Sequence, residues 1–178
     1  EDLVRQGKIL YWGTSMWSGE QIDRACEIAD KRNAYAPVVE QPRFNLIHRE
    51  IEAEVLPTCT RRGIGLTVWS PLAQGLLTGK YNDGVPEGSR AAESNWLQGD
   101  LTEENLERVR AFTELADEVS LSPAQLALAW CLANPAISSV ITGATRSSQV
   151  LDNVAAAEAE LDAELMQRLD EMFPEVSS

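Results

Sequence analysis

Apolar residues concentrate in four short runs: Ile9–Gly13 (ILYWG), Pro37–Gln41 (PVVEQ), Ile64–Trp69 (IGLTVW) and Ser139–Thr142 (SVIT). None alternates strictly between apolar and polar, and near-continuous apolar strands suit a parallel sheet covered on both faces. Helical patterns lie between the runs. Ser18 opens SGEQ, a capping box with Gln21 as its third residue. Ile22, Ala25, Cys26, Ile28 and Ala29 then gather towards one helical face. A second helix is expected from Arg49 to Arg62, with Ile51, Val55, Leu56 and Cys59 inward, a kink at Pro57 and a stop at Gly63. Thr102 caps a third, with Leu106, Val109, Phe112, Leu115 and Ala116 inward. Ser122-Pro123 opens a fourth, and Ser147–Ala157 and Ala163–Phe173 close the chain as helices.

Strand followed by helix, four times over, implies right-handed crossovers and a parallel sheet in an α/β fold. A doubly wound sheet and a barrel both fit. No G-x-G-x-x-G follows the first run, so the Rossmann fingerprint is missing. A full eight-stranded barrel needs about 250 residues, so four strands here would make half of one. The connection from Ser70 to about Asp100 is rich in Gly, Pro and Ser, and stretches this long are often functional. The opening EDLVRQG reads as the last turns of a helix closed by Gly7, which leads to the expectation that an N-terminal portion is missing. No repeat or linker divides residues 1–178, which read as one domain.

Composition narrows the partners. Of 178 residues 44% are apolar, as in a soluble globular domain. Fifteen Lys and Arg against 28 Asp and Glu give a net charge of −13. That balance disfavours nucleic acid and anionic membrane surfaces, both of which want clustered cations. No apolar run reaches transmembrane length, and no signal peptide opens the chain. Cys26, Cys59 and Cys131 are odd in number, far apart and without metal-ligand spacing. They are expected to be buried reduced thiols, and a cytoplasmic location is the simplest inference. The few basic residues then become candidates for holding an anion.

Four segments carry more than periodicity: YWGTSMWS (Tyr11–Ser18), VEQPRFN (Val39–Asn45), TVWSPLAQGLLTGKY (Thr67–Tyr81) and SSVITGATRSSQVLDN (Ser138–Asn153). Together they resemble the aldo-keto reductases, nearest to the branch that includes the beta subunits of voltage-gated potassium channels and their bacterial relatives. The resemblance runs from Glu1 to about Phe173. It implies a TIM (β/α)8 barrel with NADP(H) across the C-terminal strand ends. This chain would supply strands five to eight, the C-terminal NADP(H)-binding half. The intact parent would be an NADP-dependent oxidoreductase that reduces a small-molecule aldehyde or ketone by hydride transfer.

The resemblance also implies residue roles. Ser15 and Gln41 would hydrogen-bond the nicotinamide carboxamide, which needs a donor and an acceptor. Trp69 would stack on the nicotinamide. Ser70, Pro71, Leu72, Ala73, Gln74 and Gly75 would wrap the pyrophosphate, since small residues and backbone N–H groups let phosphate oxygens approach closely. Lys80 and Arg90 match family positions that contact the cofactor. Gly143, Thr145 and Arg146 precede a helix whose N-terminus suits the adenosine 2′-phosphate, and this favours NADP(H) over NAD(H). Gln149, Asp152 and Asn153 match positions near the adenosine. Read without the motif, Ser15 is equally a turn former, Trp69 a core tryptophan, and Lys80, Arg90 and Arg146 solvated cations. Met16 departs from the pattern: relatives commonly carry Asn or Arg there, and a thioether cannot replace those donors.

The family's chemistry uses a tyrosine general acid supported by lysine, aspartate and histidine, because hydride addition leaves an alkoxide that must be protonated. Those residues lie on earlier strands, and no counterpart is found here. Tyr11 falls in the first apolar run, and Tyr35 and Tyr81 fall in loops. His48 stands at a helix start, with a capping or surface role. No catalytic residue is assigned, and the chain alone is expected to be inactive. Two other readings stay open: a cofactor-binding regulatory subunit of the channel beta-subunit type, and a non-catalytic half-barrel. Half a barrel also leaves open edges at Ile9–Gly13 and Ser139–Thr142, so self-association into a homo-oligomer is one way to cover them.

Overall fold

A computed structural model describes residues 1–89, 92, 97 and 99–174. Its centre is a parallel sheet in the order β1 (Gly13–Ser15), β2 (Val39–Gln41), β3 (Gly65–Trp69) and β4 (Ile137–Ile141). The helices are α1 (Asp2–Arg5), α2 (Gly19–Arg32), α3 (Val55–Arg62), α4 (Glu103–Glu118), α5 (Pro123–Ala133), α6 (Ser147–Ala155) and α7 (Ala163–Met172). Each strand sits beside its sequence neighbour, as the strand–helix alternation requires.

The helix signals work as local chemistry. Ser18 Oγ accepts from Gln21 N–H at 3.2 Å while Gln21 Oε1 accepts from Ser18 N–H at 2.9 Å, and Ser122 and Gln125 repeat the exchange at α5. Thr102 Oγ1 accepts from Asn105 N–H at the start of α4. Asn33 (φ 49) and Gly63 (φ 67) end α2 and α3 in the left-handed conformation. Helix α5 is buried along Leu126–Cys131, which is why it is apolar on every side.

Three expectations need correction. The first strand begins at Gly13, not Ile9, and its ladder starts with Val38 N–H donating to the Trp12 carbonyl. Pro37 has no N–H to extend that ladder, so Leu10 and Tyr11 lie before the strand, 80% and 72% exposed. The helix expected from Arg49 divides into a 3-10 turn, Glu50–Glu52, and α3. Pro57 causes no kink there. It occupies the first turn of α3, where its missing N–H costs nothing, and the chain breaks before it at Glu54 (φ −137). Ile28 stands on the outer side of α2, whereas Ile22, Cys26 and Ala29 are buried.

Sheet alternation sorts the core. Leu66 and Val68 of β3 are fully buried and join Ile22, Cys26, Cys59, Phe44 and Trp130 in one apolar cluster. Gly65, Thr67 and Trp69 point the other way and are half-buried. On β2, Glu40 is fully buried; its carboxylate accepts from the Thr14 hydroxyl and from Trp17 N–H. No helix among the described residues is long and apolar enough to cross a membrane.

The three cysteines are free and buried, on α2, α3 and α5. Burial pushes the Cys59 thiol up to about 11, with the Glu40 carboxylate and Cys26 adding to the effect. Burial likewise raises Cys26, and Cys131 further still. A thiol unperturbed at 9.0 in the unfolded chain therefore ionises before folded Cys59 does. Cys59 should contribute its full stabilisation below pH 9.0, and lose it as pH rises towards about 11. Denaturant midpoints across that range should fall for the native sequence and fall less for Cys59→Ala, compared at matched ionic strength.

Candidate functional site

Parallel pairing puts every strand's C-terminal end at one edge. Ser15 is in register with Gln41, and Trp69 with Ile141. Arg43 continues the β2 line and bridges to Trp69: Trp69 N–H donates to the Pro42 carbonyl at 3.0 Å, and Phe44 N–H donates to the Trp69 carbonyl at 3.4 Å. Ser15 and Gln41, far apart in sequence, thus stand side by side, and Trp69 ends the next strand, paired with Arg43 two residues beyond Gln41. The Ser15 hydroxyl donates to the Gln41 carbonyl at 2.9 Å, while the Gln41 side chain is exposed. Gln41 therefore keeps its amide donor and acceptor available.

The chain leaves β3 through Ser70 at φ 57, then passes Ala73 (φ 45), Gln74 (φ 57) and Gly75 (φ 95). Such a run of left-handed residues folds the backbone tightly after the strand. Asn45 anchors the turn. It is fully buried; its Nδ2 donates to the Ser70 carbonyl at 2.9 Å, and its Oδ1 accepts from Ile47 and His48 N–H. The Ser70 hydroxyl is buried and has no hydrogen-bond partner among the described residues. Lys80 folds back over Gly75, where an added Cβ would lie 2.6 Å from its Nζ, and the same Nζ sits 4.9 Å from the Tyr81 ring centroid. Pro71 and Ala73 are buried, and Leu72 packs against the core.

The third region is the entry to α6. Gly143, Thr145 and Arg146 are exposed. Gln149 Oε1 accepts from Thr145 N–H at 2.8 Å, the Thr145 hydroxyl at 3.2 Å and Arg146 N–H at 3.2 Å. One side-chain carbonyl thus collects three donors at a helix N-terminus, the arrangement an anionic oxygen would find there. Asp152 accepts from the Ser122 hydroxyl at 3.1 Å, tying α6 to the start of α5. Asn153 follows it on α6, half-buried. Arg90 lies outside the described residues.

Several polar residues at this edge have no role in the sequence reading. Arg43 lies with its guanidinium carbon 5.8 Å from the Trp69 ring centroid, and its Nη2 donates to Asp100 Oδ2 at 2.6 Å. His48 is neither a cap nor a surface residue. Its Nε2 is 3.0 Å from Asp100 Oδ1, and its Nδ1 is 3.3 Å from Glu50 Oε1. Arg43 had a visible signal, two residues after Gln41 on the same strand line; the contacts of Asp100 had none, because they span 52 and 57 residues. Of the tyrosines, Tyr35 is exposed and Tyr81 is buried. A separate cleft lined by Gly19, Asp23, Glu54 and Thr58 opens between α2 and α3, and it includes none of the strand-end residues.

The model of the aldo/keto reductase family matches residues 1–173. A Schizosaccharomyces pombe protein named as a candidate voltage-gated potassium channel subunit beta is 43% identical over 179 residues, covering 96% of this chain and 52% of that protein. Proteins with similar names from Arabidopsis thaliana and Oryza sativa subsp. japonica are 47% and 45% identical, and the matches cover 88% and 86% of this chain. The chain spans about half the length of these relatives, 52%, 49% and 48%.

Gly75→Ala tests the loop. A Cβ at φ 95 carries a backbone penalty of about 1–2 kcal/mol, and it also forces the flexible Lys80 head away. Urea unfolding should show a loss of that size. A midpoint within error of the parent would mean that Gly75 is not held in this conformation.

Proposed function

The chain belongs to the aldo/keto reductase family, and from that premise we propose that it forms the NADP(H)-binding part of an oxidoreductase that reduces aldehydes or ketones. In this reading β1–β4 are strands five to eight of a TIM barrel, and residues 1–178 are its C-terminal half. The observation that carries the proposal is the register at the strand ends. Ser15, Gln41 and Trp69 share one edge, and the Ser70–Gly75 turn continues from it.

The residues fit a dinucleotide. The partnerless buried Ser70 hydroxyl is a polar atom awaiting an acceptor or donor, and glycine at position 75 keeps the Lys80 ammonium close to the turn. When bound, the nicotinamide supplies the hydride. Gln41 would hold its carboxamide in one rotation, since the amide side chain offers both a donor and an acceptor. Trp69 would present a flat apolar face, fixed through its backbone by Pro42 and Phe44. The Ser70–Gly75 turn and Lys80 would neutralise the pyrophosphate. Thr145 and Arg146 would take the 2′-phosphate, whose oxygens would replace Gln149 Oε1 as acceptor. The proton for the product alkoxide has to come from a group outside the residues assigned here.

A second reading is supported by the names of the relatives: a regulatory subunit of the channel beta-subunit type that holds the same nucleotide. Incubation of the full chain, with any sequence that naturally flanks it, with NADPH and a panel of aldehydes separates the two. Loss of the reduced-nicotinamide absorbance supports the reductase; tight binding without turnover supports the regulatory subunit. Failure to bind NADPH at all would remove both.

Arg146→Ala should weaken NADPH about tenfold, roughly 1.4 kcal/mol, and leave NADH within about twofold. Calorimetric or fluorescence titration with both nucleotides measures this. Equal losses would take the 2′-phosphate away from Arg146.

A further inference from the structure

Asp100 stands at the end of the long connection, just before the Thr102 cap of α4, and it is nearly buried at 13% side-chain exposure. Its two carboxylate oxygens are divided between two residues that follow β2. Oδ2 accepts from Arg43 Nη2 at 2.6 Å, and Oδ1 lies 3.0 Å from His48 Nε2. Arg43 and His48 are themselves only 23% and 16% exposed. The backbone of Asp100 is held separately: its carbonyl accepts from Asn105 Nδ2 at 2.9 Å, and its N–H donates to the Leu97 carbonyl at 3.0 Å. The carboxylate is therefore a fixed point, and Arg43 is the movable arm docked to it.

Arg43 meets Trp69 twice. Its backbone bridges to Trp69 in the sheet, and its guanidinium carbon lies 5.8 Å from the Trp69 ring centroid. A long arginine side chain left to itself samples many rotamers, and ordering it has an entropic cost. A charge-assisted hydrogen bond of 2.6 Å to a shielded carboxylate selects one of them. The indole is half-buried, so a neighbour that cannot move restricts the ring more than solvent would.

We propose that Asp100 is a positioning residue for the nicotinamide end of the cofactor site, acting through Arg43 to hold the Trp69 ring. The inference rests on the dinucleotide reading above and adds a residue outside all four family-like segments. Asp100 touches no part of the site itself. It sets the pose of the ring on which the nicotinamide would lie, and leaves the α6 entry with Thr145 and Arg146 untouched. Removing its charge should therefore cost binding at one end of the nucleotide only.

The test compares NADPH with adenosine 2′,5′-bisphosphate, which shares the adenosine end and lacks the nicotinamide. Titrations use the full chain with any naturally flanking sequence, as the native protein, Asp100→Asn and Asp100→Glu. Asp100→Asn is expected to weaken NADPH about tenfold and leave the bisphosphate within about twofold. Asp100→Glu, which keeps the charge, should recover most of the NADPH affinity. If Asp100→Asn does not fold by circular dichroism, Arg43→Gln is expected to give the same selective loss. Equal weakening of both ligands, or of neither, overturns the positioning role while the cofactor reading stands. A native protein that binds neither ligand overturns the cofactor reading, and this inference with it.

Discussion

Parallel strand pairing is the constraint on which the rest of this structure depends. Each strand must be followed by a helix that returns the chain to the starting edge, so all four strands point the same way and all their ends share one rim. Ser15, Gln41, Trp69 and Ile141 are separated by 26 to 126 positions in sequence, yet they lie on four successive strands of one sheet. Edge residues of this kind are free of helix packing on one side. They can therefore be polar or aromatic for reasons other than the core.

Buried polar residues make the rim rigid. Asn45 satisfies two backbone donors with its carbonyl and pins Ser70 with its amide, so the segment after β2 and the turn after β3 move together. Glu40 links β2 to β1 through Thr14 and to the turn after β1 through Trp17. Buried Arg49 reaches Glu52, Asp170 and the Phe173 carbonyl, and joins the same segment to the final helix. Each group would be costly to leave unsatisfied, so each one fixes a crossing between elements that sequence distance would otherwise leave loose.

The sheet carries its sealed core on one face. Leu66 and Val68 look into that core, whereas Gly65, Thr67 and Trp69 on the opposite face remain half-exposed. Parallel sheets are ordinarily covered on both faces. The chain spans about half the length of the relatives it matches, and its family implies a barrel.

The sequence by itself determined the parts that local chemistry controls. The capping boxes at Ser18 and Ser122, the glycine stop at Gly63 and the buried face of α4 follow from side chains within a few residues of one another. The strand–helix alternation gave the parallel α/β class, and the four motif segments gave the family. Boundaries that depend on a partner strand were not legible. Ile9–Tyr11 is as apolar as a strand, but Pro37 across from it offers no N–H, and the ladder waits until Trp12 and Val38. Nor was the Arg43–Asp100–His48 cluster legible, because a carboxylate 52 and 57 residues from its partners leaves no periodic trace in the chain. Such contacts are set by where the long connection returns to the rim, and only tertiary packing decides that.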